Sequence, residues 1–139
     1  MHCIFSGLVL YFNAKGGMIL KRSIVICGCR DFCDKRVFAE FVDECISKTA
    51  YNCELRIISG HCSGVDAMAE EYAAEHGFQL DIFPADWQKY GRAAGPKRNM
   101  QMAKEADFVI AFWNGSSRGT KNMIDAAAKL HKTVFVKMI

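Results

Sequence analysis

The sequence predicts a single domain of the α/β class, with a five-stranded, mainly parallel sheet between two layers of helices. From Ser23 onward, five short apolar segments alternate with four segments that repeat apolar residues at helical spacing. The apolar segments are almost uninterrupted, as is typical of strands buried on both faces of a sheet. With 139 residues, 51% of them hydrophobic, the chain can form one sizeable core.

Each element of this α/β pattern has a sequence reason. Apolar and β-branched runs predict strands at 23–28, 54–60, 79–84, 107–113 and 133–138. Apolar residues at helical spacing predict helices at 34–48, 65–77, 97–106 and 120–131. We expect Gly77 to end the second helix and Ser63 to cap its start. Pro96 is well placed to begin the third helix, after a long polar loop over 85–96.

The first 17 residues lie outside the α/β pattern. Their apolar run, "CIFSGLVLYF", is too short to span a membrane and lacks the basic flank of a signal peptide. A second methionine, Met18, stands just before the first convincing strand. We therefore expect residues 1–17 to be an upstream extension or flexible arm and residues 18–139 to be the domain. An added N-terminal strand is the alternative.

Composition excludes several classes of protein. A content of 24% charged residues and two prolines argues against disorder. The net charge of +3 is mild, so nucleic acid is an unlikely partner, although single-stranded DNA stays open as an alternative. The seven cysteines are irregularly spaced and form no C-x-x-C pair. We therefore expect a reducing, cytoplasmic location, no metal site, no cofactor and no membrane.

A ligand site is expected beyond the carboxyl ends of the strands, where the strand order reverses. This rule selects four loops, 28–34, 59–65, 84–98 and 113–121. The four loops carry seven basic and three acidic residues, whereas the rest of the chain is close to neutral. An edge with excess positive charge suits a phosphate-bearing ligand.

The first two loops supply several candidate ligand contacts. Glycines there let the backbone approach a ligand closely, although an ordinary tight turn would also explain them. An acidic residue in the first turn of the second helix either accepts a hydrogen bond from a ribose hydroxyl or complements the helix dipole. The candidates are Gly28, Cys29, Arg30, Ser59, Gly60, Gly64 and Asp66.

The loop "NGSSRGTKN" resembles a phosphate loop only in part. A P-loop needs G-x-x-x-x-G-K-[ST], but here the glycine spacing is one residue shorter and the hydroxyl residue precedes the lysine. A magnesium-dependent NTPase is therefore not predicted. Backbone amides and hydroxyls at the start of the following helix can still hold an anion. The candidates are Gly115, Ser116, Ser117, Gly119 and Thr120.

The third loop adds aromatic and cationic groups. Trp87 or Tyr90 could stack on a base, which contributes about 1–3 kcal/mol in nucleic-acid sites. Trp87 could instead fold back over the edge of the sheet, and we favour that covering role. Arg98 is the main candidate for a phosphate contact because its guanidinium offers a planar fork. Asn99 follows it and is included in the site.

The motifs together resemble the SLOG superfamily, most closely its YspA-like (YpsA-related) branch. The resemblance rests on the sequences at 28–32, 59–73, 83–102 and 119–127, and it covers about 24–136. It implies a Rossmann-like domain that binds a nucleotide or nucleotide-derived ligand. The superfamily includes the LOG phosphoribohydrolases, the single-stranded DNA-binding DprA proteins and proposed sensors of nucleotide signals.

The resemblance to LOG enzymes is incomplete at the catalytic position. Arg98 matches the arginine of those enzymes, but Met123 stands where they carry a glutamate and cannot act as an acid or base. Asp125 lies about 200° further around the helix, so it cannot replace that glutamate. If the chain is an N-glycosidase, Asp66 or Asp31 would have to serve.

The leading hypothesis is a domain that binds a nucleotide-like, phosphate-bearing small molecule, as a sensor or processor of a nucleotide signal. The first alternative is an N-glycosidase acting on a nucleoside monophosphate, with Arg98 and Asp66 as catalytic residues. The second is a single-stranded DNA-binding module, and the third is a structural role, with a homo-oligomer among the expected assemblies.

Overall fold

A computed structural model describes residues 3–5, 8–12 and 14–139 and confirms the α/β class. The strands are β1 Cys3–Phe5, β2 Leu8–Phe12, β3 Met18–Gly28, β4 Glu54–Ser59, β5 Gln79–Ile82, β6 Phe108–Trp113 and β7 Thr133–Met138. The helices are α1 Lys35–Thr49, α2 Val65–His76, α3 Trp87–Tyr90, α4 Ala94–Glu105 and α5 Arg118–Lys129, with a 3-10 turn at Gly91–Ala93.

The five predicted strands form a parallel sheet in the order β5-β4-β3-β6-β7. The central strand is β3, where Ile24 pairs with Ile57 of β4 on one side and with Phe108 of β6 on the other. Because the chain leaves β3 toward β4 and later returns to its other side, the strand order reverses between β3 and β6. The loops that follow these two strands therefore diverge and leave a crevice between them.

An antiparallel hairpin extends the sheet at the amino end of β3. Strand β1 pairs with β2, and β2 pairs with the first residues of β3, where Leu10 lies opposite Leu20 and Phe12 opposite Met18. Residues 3–5 and 8–12 thus adopt the strand structure considered as an alternative for the N-terminal segment. The other positions before residue 14 lie outside the described residues, and a native start at Met18 stays a prediction.

Alternation along the strands builds one core on each face of the sheet. Ile24 and Ile26 face α1 and α2, where they join a cluster with Val42. Val25 faces α4 and α5, in a second cluster that contains Met123. All these side chains are almost completely buried, and burying each one stabilises the fold by about 1.5–3 kcal/mol. The two cores fix α2, α4 and α5 against the sheet, and their first turns border the crevice.

The structure corrects the expected start of α4. The helix begins at Ala94, so Pro96 is its third residue, and 87–93 form a short helix and a 3-10 turn instead of a loop. The Asp86 carboxylate accepts a hydrogen bond from the Lys89 amide and so begins the short helix. Proline is tolerated at the third position because first-turn amides have no acceptor within the helix.

The ends of α2 confirm one prediction and contradict another. Gly77 ends the helix in the left-handed conformation, with φ of 68°. Ser63 does not cap the start; the N-cap is Gly64, and the Ser63 hydroxyl instead donates to the Arg30 carbonyl at 3.2 Å. The first two loops are therefore tied to each other.

Nowhere in residues 3–5, 8–12 and 14–139 does a helix have the length and apolarity needed to cross a membrane.

Candidate functional site

A cavity of about 360 Å³ occupies the crevice between β3 and β6. We call it the larger cavity. Its walls come from the loops after β3 and β4, the first turn of α2, the middle of α4 and the start of α5. The predicted residues that line it are Gly28, Cys29, Arg30, Asp66, Arg98, Asn99, Ser117, Gly119 and Thr120. All four loops chosen from the sequence thus contribute to one cavity.

The larger cavity also has lining residues that we did not choose as candidates. Cys27 faces it from β3, and alternation along that strand could have indicated this because Val25 faces the same side. Asn114 directly follows β6, a position where short polar side chains often organise a turn. Cys62 and Met102 also line the cavity, and no sequence signal distinguishes them. Asp31 and Met123, which were considered in the comparison with LOG enzymes, complete the set.

A second cavity of about 220 Å³ adjoins the first, and we call it the smaller cavity. Gly60 and Trp87 line it, so these two predicted residues lie beside the larger cavity instead of within it. Arg30, Cys62 and Arg98 line both cavities. Trp87 is 55% exposed, so the covering role that we favoured for it is wrong.

Four predicted residues line neither of these cavities. Ser59 is fully buried, and its hydroxyl bonds the Glu70 carboxylate at 2.8 Å. Gly64 has φ of 72°, and a Cβ atom there would collide with the carbonyl oxygens of the first loop. Gly115, with φ of 83°, and Ser116 belong to the turn before α5. Their roles in the described structure are conformational.

The Arg98 guanidinium, which is almost completely buried, connects three elements around the larger cavity. Its Nη1 donates to the carbonyl oxygens of Gly60 and Phe83 at 2.6 and 3.1 Å. Its Nε donates to Asn99 Oδ1 at 3.0 Å. Only Nη2 has no acceptor in the part of the chain that the structure describes. Arg98 therefore offers a ligand its charge and one free nitrogen, not the full fork that we expected.

Two of the predicted glycines are required by protein packing. A Cβ atom at Gly60 would lie 2.7 Å from Arg98 Nη1, so the missing side chain leaves room for the guanidinium. A Cβ atom at Gly28 would lie 2.6 Å from both the Phe112 carbonyl oxygen and Val65 Cγ2. The close approach expected at these glycines is therefore made by neighbouring residues.

The Asp66 carboxylate is 6% exposed and borders the larger cavity. Burial raises the pKa of this carboxyl above its ordinary value, although the Cys62 amide and the charge of Arg98 lower it. The Cys62 amide donates to Oδ2 at 3.1 Å. No ion pair joins Asp66 to another described residue, and its Oδ1 has no donor among them. This oxygen is the acceptor that a ligand hydroxyl could use.

Asn99 links Arg98 to α5. Its Oδ1 accepts from Arg98, and its Nδ2 donates to Asn122 Oδ1 at 2.9 Å and to the Gly119 carbonyl at 3.4 Å. Because Asn99 is 6% exposed, each of these bonds satisfies a buried polar group. The network ties the second turn of α4 to the first two turns of α5 beside the cavity.

The turn before α5 is organised by its own side chains. Asn114 Oδ1 accepts from the Ser116 and Ser117 amides, each at 2.9 Å. Ser117 caps the helix, accepting from the Thr120 amide, and its carbonyl accepts from Trp113 Nε1 at 3.1 Å. The Ser116 and Ser117 amides are thus occupied. Two first-turn amides, those of Arg118 and Gly119, have no acceptor among the described residues.

The cysteines around the larger cavity do not indicate a metal or thiolate site. Burial and the nearby Asp66 raise the pKa of the Cys27 thiol far above its ordinary value. Across the described parts of the chain, no three His, Cys, Asp or Glu side chains are grouped so that they could hold a metal ion.

Comparison with known proteins identifies a family over part of the chain. The model of the family YAcAr, described as "YspA, cpYpsA-related SLOG family", matches residues 22–90. Residues 22–90 belong to this SLOG family. The SLOG region begins within β3 and ends with α3, so it includes Arg30 in the loop after β3 and Asp66 in α2. Arg98 and the turn before α5 lie after it.

Two relatives extend the comparison beyond the SLOG region. The "Gene 61 protein" of Mycobacterium phage D29 is 29% identical over 114 residues, which cover 78% of this chain and 90% of that protein. The X-ray structure of TM1055, a structural genomics target, matches with a TM-score of 0.57 and 20% identity, covering 81% of this chain and 72% of that one. At this identity the structural match shows the fold alone.

Proposed function

We propose that this SLOG domain binds a nucleotide or nucleotide-derived small molecule through its phosphate and ribose. The observation that carries the proposal is the larger cavity, where a helix N-terminus, two arginines and a buried aspartate converge. Its volume of about 360 Å³ lies within the range of small-molecule sites, about 300–1,000 Å³.

The phosphate is assigned to the start of α5. The N-terminus of a helix carries about half a positive charge, and the Arg118 and Gly119 amides there are free among the described residues. A Cβ atom at Gly119 would have nothing within 4 Å, so the backbone is open to a ligand. Arg30 and Arg98 supply positive charge from the other walls. These groups favour a dianionic phosphate over a neutral ligand.

The ribose is assigned to Asp66. Asp66 lines the cavity, and its carboxylate can accept a hydrogen bond from a ribose hydroxyl. Because Asp66 and the start of α5 line the same cavity, one nucleotide could contact both. A sensor or processor of a nucleotide signal would need such a site.

Thermal unfolding with AMP, NAD and ADP-ribose tests the proposal. A ligand that binds the folded state raises the melting temperature by mass action. Arg30 is exposed, so replacing it by glutamine should weaken binding about tenfold without destabilising the fold. Lys104→Gln, an exposed substitution at the other end of α4, is the matched control. If none of the three compounds shifts the transition, the proposal is wrong.

Hydrolysis of the N-glycosidic bond is the second candidate function, and the carboxylate of Asp66 in the larger cavity supports it. Met123 lines the same cavity and is 1% exposed, so no acidic group stands at the glutamate position of LOG enzymes. Chromatography of AMP incubated with the protein would detect released adenine. Binding without release would leave the domain a binder and exclude this activity for AMP.

A further inference from the structure

A histidine–glutamate pair borders the smaller cavity. His61 Nδ1 lies 2.9 Å from Glu70 Oε1, and the same oxygen accepts from the buried Ser59 hydroxyl at 2.8 Å. The Ser59 hydroxyl oxygen in turn accepts from the His61 amide at 3.1 Å. The backbone and the ring of His61 are therefore both held by α2 and the end of β4.

The backbone of His61 is in an unfavourable conformation. Its φ is 61°, in the left-handed region that non-glycine residues enter at a cost in free energy. The contacts to Ser59 and Glu70 hold the residue there, with the side chain still 64% exposed. This conformation places an accessible imidazole in the lining of the smaller cavity.

The bond to Glu70 determines which ring nitrogen is an acceptor. An ionised carboxylate only accepts hydrogen bonds, so the proton of the neutral ring is on Nδ1. Nε2 then keeps its lone pair, and it has no partner within the described chain. His61 therefore presents a hydrogen-bond acceptor to whatever occupies the smaller cavity.

The other walls of the smaller cavity suit a flat aromatic group. Trp87 is 55% exposed and lines the cavity together with Pro84 and Ala85. An accessible indole gives a surface on which a base can stack. Arg30 and Arg98 line both cavities, so the smaller cavity lies directly beside the larger one.

From these contacts we infer that the smaller cavity binds the nucleobase and that His61 Nε2 selects bases with an exocyclic amino group. The inference rests on the proposed function, in which the ribose and phosphate occupy the larger cavity. An amino group donates to Nε2, as in adenine and cytosine. A carbonyl oxygen at the same position, as in hypoxanthine and uracil, would face a lone pair without a proton between them.

Calorimetric titration at pH 8, where histidine is ordinarily neutral, tests the inference. We expect AMP to bind about fivefold more tightly than IMP, and CMP about fivefold more tightly than UMP. Ribose 5-phosphate serves as the probe without a base. Nucleotide binding with equal affinity within each pair would overturn the inference and leave the proposed function intact. If neither the nucleotides nor ribose 5-phosphate bind, both are wrong.

Two substitutions assign the preference to the histidine. His61→Gly removes the ring and relieves the positive φ, so it should abolish the preference and leave ribose 5-phosphate affinity unchanged. His131→Gly is the matched control because His131 is exposed, has φ of 57° and lies outside both cavities. Glu70→Gln lets the side-chain amide donate to Nδ1, and should reduce the preference while the imidazole is retained. A preference unchanged in His61→Gly and Glu70→Gln would overturn the assignment.

Discussion

Asp66 shows how a single residue connects stability with the site. Burial raises its pKa in the folded protein, so ionising its carboxyl disfavours folding. Below its ordinary pKa the carboxyl is protonated in both states, and this penalty is absent. The penalty grows as the pH rises toward the folded value and is complete above it. The domain therefore keeps a carboxyl group whose ionisation is destabilising, which is typical of functional residues.

We predict that Asp66→Asn makes the protein more stable at pH 7.5. The amide oxygen can still accept from the Cys62 amide, and the buried charge is gone. The advantage should narrow as the pH falls toward 4, because the wild-type carboxyl becomes neutral. Urea unfolding at pH 7.5 and 4.5 measures both effects. Asp31→Asn, at an exposed position in the same cavity, should change little. A less stable Asp66→Asn protein at pH 7.5 would contradict the prediction.

For individual residues, the sequence was a better guide to which of them line the larger cavity than to the contacts that they make. Arg98 and Asp66 could be chosen because charge stands beside glycine turns at strand ends. The contacts themselves could not be predicted because they join residues that are distant in the sequence. Examples are the space that Gly60 leaves for Arg98 and the hydrogen bond from Ser59 to Glu70. His61 was not chosen, although it lies in the 59–73 motif, because its contact with Glu70 appears only once the chain is folded.

Among the elements, α4 was predicted with the wrong start, although it supplies Arg98 and Asn99 to the site. Proline is common at the first position of a helix, and that preference placed the start at Pro96. The capping of α3 by Asp86 and the turn at Gly91–Ala93 direct the chain into α4 before Pro96 is reached. The strands were predicted more accurately, since long apolar runs with β-branched residues have few alternatives.

We predict that Asn99→Ala destabilises the protein by about 1–3 kcal/mol. The substitution removes the link between α4 and α5, and it leaves Arg98 Nε without its buried acceptor. Chemical denaturation of the two proteins measures the difference. Gln101→Ala, an exposed change in the same helix, should stay within about 0.5 kcal/mol of wild type. An Asn99→Ala protein as stable as Gln101→Ala would show that the network contributes nothing measurable.

For the whole molecule, β3 separates the hairpin from the site. The hairpin pairs with Met18–Leu20, whereas the cavities lie beyond Gly28. Eleven residues of strand put about 30 Å between these ends. The sheet order and the position of the crevice follow from the alternation of strands and helices. The hairpin could not be predicted, because a ten-residue apolar segment is compatible with a strand, an arm or an extension.

We predict that a chain beginning at Met18 keeps the response to ligand. Removing residues 1–17 takes away the pairing partner of Met18–Leu20 but no residue of either cavity. The melting temperature without ligand can fall, but the increase caused by the best ligand at equal saturation should be unchanged. Differential scanning fluorimetry of the full and shortened chains measures both quantities. If the shortened chain folds but its melting temperature no longer rises with ligand, the hairpin and the site are not independent and the prediction is wrong.

The turn of residues 114–117 has a consequence for the kinetics of binding. Asn114 and Trp113 already fix its backbone in the protein without ligand. An arriving phosphate therefore meets a surface that has little conformational entropy left to lose. Association then requires no loop closure, and the electrostatic attraction of Arg30 and Arg98 for the phosphate can raise the association rate. A preformed phosphate site of this kind would let the proposed ligand bind and dissociate quickly.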